Sequence, residues 1–429
     1  MEIKRDRYLK RLISKRNNGL IKVITGIRRC GKSYLLFRLY YNYLISEGVA
    51  RENIITIPLD DADYAGYRDP LALHEHIKSV AADQSQQYYV FIDEAQFAIT
   101  KAEMKNPDEP LRLYGVLNSW LRKGNIDVYI TGSNSKFLSS DIMTEFRGRG
   151  DEIHIAPLSF SEFYPASGKT QAEAWNEYLY YGGLPYILSE HDDESKSLYL
   201  ERLNSEIYLR DICERYDLRD AHAMQSVMKV ISSSVGSLSN AQKIYDTFRS
   251  SGDKNLSMPT ISNYLRYLQQ SFLIQKAERY NIKGRKYIGT PSKYYYTDLG
   301  LRNALLNFRQ FEKTHLMENA IYNELIYRGF KVDVGIVEIR LNENEKTHRK
   351  QLEVDFVVNR AGQRYYIQSA FSLPDSEKLK QEQASLIHIP DSFKKIIVVG
   401  DDQKTWRNEY GITITGIYEF MLNENSLDI

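Results

Sequence analysis

The sequence predicts an α/β protein that opens on a parallel sheet flanked by helices and continues through smaller helical and α/β parts. Three apolar segments carry that expectation. Leu20-Ile21-Lys22-Val23-Ile24-Thr25 is a β-branched run, and the next eight residues, Gly26-Ile27-Arg28-Arg29-Cys30-Gly31-Lys32-Ser33, complete the pattern G-x-x-x-x-G-K-[ST]. Tyr88-Tyr89-Val90-Phe91-Ile92 closes on Asp93-Glu94, and Asp127-Val128-Tyr129-Ile130-Thr131 closes on Gly132-Ser133-Asn134-Ser135. Strands separated by helical segments in this way form parallel sheets.

The first run is a strand by its branching, and Tyr34-Leu35-Leu36-Phe37-Arg38-Leu39 continues beyond the loop with helix formers. Gly26 and Gly31 allow torsions that turn successive loop N–H groups, those of Ile27, Arg28, Arg29 and Cys30 among them, onto one anion. The N-terminus of the following helix adds its partial positive charge. Lys32 supplies a point charge to the outer phosphates, and the Ser33 hydroxyl a ligand for the Mg²⁺ that bridges them. ATP and Mg²⁺ are therefore the expected cofactors. Cys30 lies where the helix pole would lower a thiol pKa, but it reads first as a small residue that fits the loop. With Cys213 as the one other cysteine there is no disulfide framework, and two free thiols suit a reducing cytoplasm.

The second run is expected as the metal-binding strand. Asp93 would hold the Mg²⁺ through water, and Glu94 would orient and deprotonate the water that attacks the terminal phosphate. At the end of the third run, Asn134, with Ser133 second, is placed to hydrogen-bond that water or phosphate. Asn134 serves equally as a cap for a helix over 136–143. In Phe146-Arg147-Gly148-Arg149-Gly150 an arginine is a candidate finger for a phosphate of its own or a neighbouring subunit, and the latter implies a homo-oligomer.

Composition limits the alternatives. A chain of 429 residues makes about two to four domains. Its 57 basic and 56 acidic residues leave a formal charge of +1, so no global field drives binding to nucleic acid or membrane and any such contact needs a local patch. The charged start, Met1-Glu2-Ile3-Lys4-Arg5-Asp6-Arg7, lacks a signal-peptide core, and no apolar run approaches the ~20 residues of a membrane span. A soluble cytoplasmic protein with no membrane partner is expected. The 33 tyrosines read first as half-buried packing and second as base-stacking platforms.

Several motifs together carry a family resemblance: the Gly-x-Arg-Arg-x-Gly-Lys-Ser loop, Asp93-Glu94-Ala95-Gln96, the turn Thr131-Gly132-Ser133-Asn134, and Gly148-Arg149 followed by Pro157-Leu158-Ser159-Phe160-Ser161-Glu162-Phe163. Over essentially its whole length the chain resembles the AAA+ ATPases of bacteria and archaea that carry a C-terminal domain of unknown function, DUF4143. The resemblance implies an AAA+ P-loop ATPase domain over 1–165 and a helical lid over 166–224 containing Tyr180-Tyr181-Gly182-Gly183-Leu184-Pro185. It favours Arg149 over Arg147 as the finger and makes Asn134 the sensor.

Residues 225–305 resemble a winged helix. One helix is expected from Ser239 to Arg249 and a second from Met258, with Ser257 as N-cap and Pro259 in its first turn, followed by a β-ribbon over 283–297. Lys283, Arg285, Lys286 and Lys293 would make this wing basic and suit it to DNA backbone. Residues 306–429 resemble the restriction-endonuclease-like α/β fold, with Glu318 on a helix from Thr314 to Tyr327, Asp355 in the strand Leu352-Glu353-Val354-Asp355-Phe356-Val357-Val358 and a next strand Tyr365-Tyr366-Ile367-Gln368-Ser369-Ala370. Gln368 and Ala370 stand where the second acid and the lysine of a nuclease belong, so a degenerate domain is expected unless Glu353 or another residue supplies ligands. The expected function is Mg²⁺-dependent ATP hydrolysis that serves a nucleic-acid-associated assembly. The alternatives are an ATP-gated regulatory switch with protein-binding C-terminal domains and, third, a metal-dependent nuclease.

Overall fold

The computed structural model describes residues 3–100, 102–103, 111–132, 148–252, 256–343 and 346–428. Ser133, Asn134 and Arg147, and the helix expected over 136–143, lie outside them. The chain divides into two compact units, one of Met1–Pro157 with Gln270–Phe272, the other of Leu158–Gln269 with Leu273–Ile429.

The first unit is a five-stranded, all-parallel sheet: β1 (Ile21–Thr25), β2 (Ile54–Pro58), β3 (Tyr88–Asp93), β4 (Ile126–Thr131) and β5 (Gly150–His154) in the order β2-β3-β4-β1-β5. β1, β3 and β4 are buried throughout, which is why they read as continuous apolar runs without alternation. Lys22 fits in β1 by pairing with Asp127 of β4, whose second oxygen accepts from Tyr129 Oη at 2.7 Å. Helices flank the sheet: α1 (Asp6–Ser14), α2 over 32–46, whose middle turns Leu35–Tyr40 are π-helical, α3 (Pro70–Val80) and α4 (Arg112–Leu121). Pro70 opens α3 where its missing N–H is harmless, and Asp69 caps it through the Ala72 N–H. The side chains of Leu73, Ile77, Leu113, Leu117 and Trp120 pack on Ile21, Val23, Val90, Ile92 and Val128, each fully buried aliphatic contributing about 1.5–3 kcal/mol.

The second unit joins helices to an eight-stranded mixed sheet. α5 (Phe160–Ser167), α6 (Gln171–Tyr181), α7 over 193–216, α8 (Ala221–Ser233), α9 (Ala241–Ser250) and α10 (Met258–Gln270) come first. Ser159 and Thr170 start α5 and α6 with capping boxes closed by Glu162 and Glu173. The hairpin β6 (Ile274–Asn281) and β7 (Lys286–Tyr296) precedes α11 (Leu299–Leu305) and α12 (Lys313–Tyr327). Then come β8 (Lys331–Glu343), β9 (Lys346–Arg360), β10 (Gln363–Ala370), α13 (Ser376–Ile387), β11 (Lys394–Val399), β12 (Trp406–Arg407), β13 (Thr413–Gly416) and α14 (Ile417–Leu422). The sheet order is β12-β13-β11-β10-β9-β8-β6-β7.

Ser257 caps α10 as expected, its Oγ accepting from the Thr260 N–H at 3.3 Å. The β6–β7 hairpin is not a free wing: β6 pairs with β8 in parallel, Tyr280 opposite Gly335, so residues on both sides of position 305 share one sheet. The helices expected as a lid likewise cluster with this second unit. Tyr88, Tyr89 and Tyr294-Tyr295-Tyr296 are all buried, in line with packing and not with base stacking. Among the described residues no helix is long and apolar enough to cross a membrane.

Candidate nucleotide site

β1 ends at Thr25 and the chain turns at once into the phosphate loop. Gly26 has φ +145°, and a Cβ there would stand 2.2 Å from the Ile155 carbonyl oxygen just past β5, so only glycine lets the loop lie against that strand. Gly31, at φ +98°, leads into α2. Between them Ile27 and Cys30 are buried, Arg28 is half-buried and Arg29 is exposed in the left-handed region at φ +64°. The Cys30 thiol is fully buried and donates to Ile155 O at 3.5 Å, which makes it a packing residue. Arg5 secures the loop from outside: Nη1 donates to Cys30 O at 3.3 Å and Nη2 to Ala156 O at 2.6 Å.

Lys32 is 4% exposed, and its Nζ donates to Gly26 O at 3.1 Å and Ile27 O at 2.9 Å, so the ammonium is held inside the loop. The Ser33 hydroxyl hydrogen-bonds the Asp93 carboxylate, which brings the two expected Mg²⁺ ligands together. Both are oxygen donors of the kind a hard cation takes, so Ser33 and Asp93 are the residues that would hold Mg²⁺ here. Burial pushes the Asp93 carboxyl up, while hydrogen bonds from Ser33 and Thr131 oppose the shift.

Because β4 lies between β1 and β3, the two strands that lead into the loop and the acid pair are two strand spacings, about 10 Å, apart. The last residue of β4 spans that interval. Thr131 Oγ1 donates to Asp93 Oδ1 and accepts from the Glu94 N–H at 3.0 Å. Glu94 is left-handed at φ +49°, ψ 50°, and its carboxylate accepts from Gln96 Nε2. A non-glycine residue in that region costs on the order of 1 kcal/mol, and here two side chains hold it. Thr131→Val should strip both partners from a buried hydroxyl position and cost about 2 kcal/mol of stability. It should also slow turnover, and Thr131→Ser should restore both. Urea unfolding and steady-state ATPase rates on the two variants check this.

Sequence reasoning missed Thr131, although its place as the last residue before Gly132 in an apolar strand was a usable signal. It also missed the support under Thr25, whose Oγ1 donates to Glu152 Oε1 at 2.7 Å and lies 3.1 Å from His154 Nδ1. Burial lowers the His154 pKa to about 4, helped by the charges of Lys32 and Arg11, and raises that of Glu152. At neutral pH the imidazole is uncharged behind the loop. Arg149 lies elsewhere: its carbonyl accepts from the Ile21 N–H at 2.9 Å, at the end of β1 remote from the loop, roughly 13 Å of strand away. Its exposed guanidinium donates to Asn118 of α4 at 3.5 Å. The own-subunit role is thus not supported by the geometry.

The second cluster expected from the sequence also assembles, with a different composition. Asp355 on β9 and Gln368 on β10 are neighbours, the Asp355 N–H donating to Gln368 Oε1 at 3.3 Å, and Glu318 of α12 meets Asp355 through Lys293. Lys293, expected on the basic wing, is instead 3% exposed and ion-paired to Glu318, Glu353 and Asp355. It contributes nothing to the surface.

The loop, the acid pair and their strand order define the first unit as a P-loop ATPase domain, and residues 18–164 match the family described as AAA domain. Residues 172–312 match the domain of unknown function DUF8612, which replaces the DUF4143 assignment. An uncharacterised protein of Haemophilus influenzae is 34% identical over 403 residues, 93% of each chain. One of Methanocaldococcus jannaschii is 27% identical over 380 residues, 85% of this chain and 77% of that one. The chain belongs to one family with the Haemophilus influenzae protein, and its residues 18–164 carry the AAA domain. Among solved structures, Aeropyrum pernix ORC1 in complex with DNA aligns with 72% of this chain and 93% of that one at 15% identity and TM-score 0.30. AMPPCP-bound DnaA from Aquifex aeolicus aligns with 61% and 86% at 14% identity and TM-score 0.27. Both scores are too low to carry a residue role across.

Proposed function

We propose that the chain binds ATP at the 26–33 loop and hydrolyses it with Mg²⁺ held by Ser33 and Asp93, and that turnover serves a nucleic-acid-associated assembly in the cytoplasm. The observation that carries the ATPase reading is Thr131, whose one hydroxyl fixes the metal acid and the water-activating acid beside the loop. Glu94 takes the proton of the attacking water, Lys32 and the loop N–H groups bind the phosphates, and Asn134 completes the set as sensor. Arg149, exposed and remote from its own loop, is left to act on a neighbouring copy, which makes the active form a homo-oligomer.

The nucleic-acid part rests on a groove of the second unit. Lys283, Lys286, Arg340 and Arg349 line a cleft of about 870 Å³ between the turn of the β6–β7 hairpin and the β8–β9 ladder. Arg340 and Arg349 stand directly opposite each other across that ladder, an arrangement that costs stability unless an anion shares it. A polyphosphate backbone supplies such anions at regular intervals.

The test is ATPase turnover and duplex binding at several salt concentrations. DNA should raise turnover, and Arg340→Ala with Arg349→Ala should lower the slope of log K against log salt by about 2, at ~0.9 per phosphate contact. If DNA changes neither binding nor turnover at low salt, the nucleic-acid reading fails. The alternative, an ATP-gated switch with protein-binding C-terminal domains, then stands.

A further inference from the structure

Four charged side chains converge in the second unit from three elements far apart in sequence. Lys293 Nζ lies 2.9 Å from Glu318 Oε1, 2.7 Å from Glu353 Oε1 and 3.4 Å from Asp355 Oδ1. Tyr295, two residues further along β7 and so on the same face, donates to Glu318 Oε1 at 2.7 Å. The Ser369 N–H donates to Asp355 Oδ2 at 2.9 Å. Lys293, Glu318 and Asp355 are all buried, and Glu353 forms the half-exposed rim.

We infer that Lys293 is the resident cation of this acid cluster: its ammonium takes the position between Glu318, Glu353 and Asp355 that a divalent ion would need, and the cluster binds neither Mg²⁺ nor Mn²⁺. The residues do not fit a metal. An ion at the ~2.0–2.1 Å that Mg²⁺ requires from these oxygens would come against Nζ, adding repulsion between like charges to a steric conflict. The ammonium has three donors, and three carboxylates receive them. Burial works against the Lys293 charge, but the three acids outweigh it and hold the pKa above its usual value. Burial pushes the Glu318 carboxyl up, against the pull of Lys293. The internal ion pair clamps β7 to α12 and β9, work that a metal would do only when bound.

The test uses the full chain without nucleotide, titrated with up to about 1 mM MnCl₂ and read by Mn²⁺ electron paramagnetic resonance and by Tm. The wild type should show no Mn²⁺ site that Asp355→Asn removes. Lys293→Ala should lower Tm by about 8 °C or more, because it leaves three acids facing one another, and Mn²⁺ should recover at least half of that loss. If Lys293→Ala folds only with Mn²⁺, the inference is equally supported. Should it fail to fold in either condition, Lys293→Met, which keeps the stem, takes its place, and the wild-type titration still decides. A wild-type Mn²⁺ site abolished by Asp355→Asn overturns the inference, as does a Lys293→Ala protein with unchanged Tm and no response to Mn²⁺.

Discussion

Glu94→Gln is expected to cut ATP turnover by about 10³-fold while leaving the Kd for ATP within about threefold of wild type. The separation follows from the geometry. In the proposed mechanism the loop and Lys32, at the end of β1, receive the phosphates, whereas Glu94 stands past the end of β3 with its N–H on Thr131 and its carboxylate on Gln96. Glutamine preserves shape and the backbone hydrogen bond, so neither the left-handed turn nor the loop has reason to move. What it loses is the capacity to take a proton from water. Single-turnover hydrolysis and equilibrium binding of a fluorescent ATP measure the two halves separately. A Gln variant that hydrolyses at the wild-type rate removes Glu94 from the mechanism, and one that fails to bind shows the residue to be structural.

The parts of the site that were legible in the sequence are those whose chemistry is local. The loop needs two glycines, a lysine and a serine at fixed spacing within eight residues, and the acid pair needs only a strand that stops where a carboxylate can face outward. Thr131, His154, Glu152 and Arg5 were not legible because their roles exist only once β4 lies between β1 and β3 and β5 lies beside β1. That order puts partners 25 to 151 positions apart within hydrogen-bond reach. A threonine, a histidine and an arginine are individually too common to announce such contacts.

Lys293 shows the opposite failure. Read locally, it continues the basic run of Lys283, Arg285 and Lys286. In β7, however, exposure changes at Ser292: the residues before it face solvent wholly or in part and those from Ser292 onward are buried. Three acids 25, 60 and 62 positions away decide which side of that boundary a lysine can tolerate. Conversely, the positive groove gains Arg340 and Arg349, which no local pattern joined to Lys283, because the β8–β9 register alone sets them face to face. Lys283, Arg285 and Lys286 stay exposed, Lys293 is lost to the interior, and Arg340 and Arg349 join the basic surface.

Lys32→Ala is expected to raise the Kd for ATP by roughly a hundredfold, the loss of a charged hydrogen bond of about 3 kcal/mol. In this structure the lysine does more than supply charge. Its buried Nζ donates to the carbonyls of Gly26 and Ile27, so it also holds the loop in the curve that aims N–H groups at the phosphates. Alanine removes both functions and leaves two carbonyls short of a donor. Thermal unfolding with and without nucleotide distinguishes them. At ATP near 100 times the wild-type Kd, the wild type gains about 2.7 kcal/mol, while a variant whose Kd has risen a hundredfold gains only about 0.4 kcal/mol. In the absence of ATP any further loss reports the loop contacts alone. Undiminished stabilisation of the alanine variant by ATP would move nucleotide binding away from the 26–33 loop, and with it the roles assigned to Ser33, Asp93 and Glu94, since all three are placed by reference to phosphates held there.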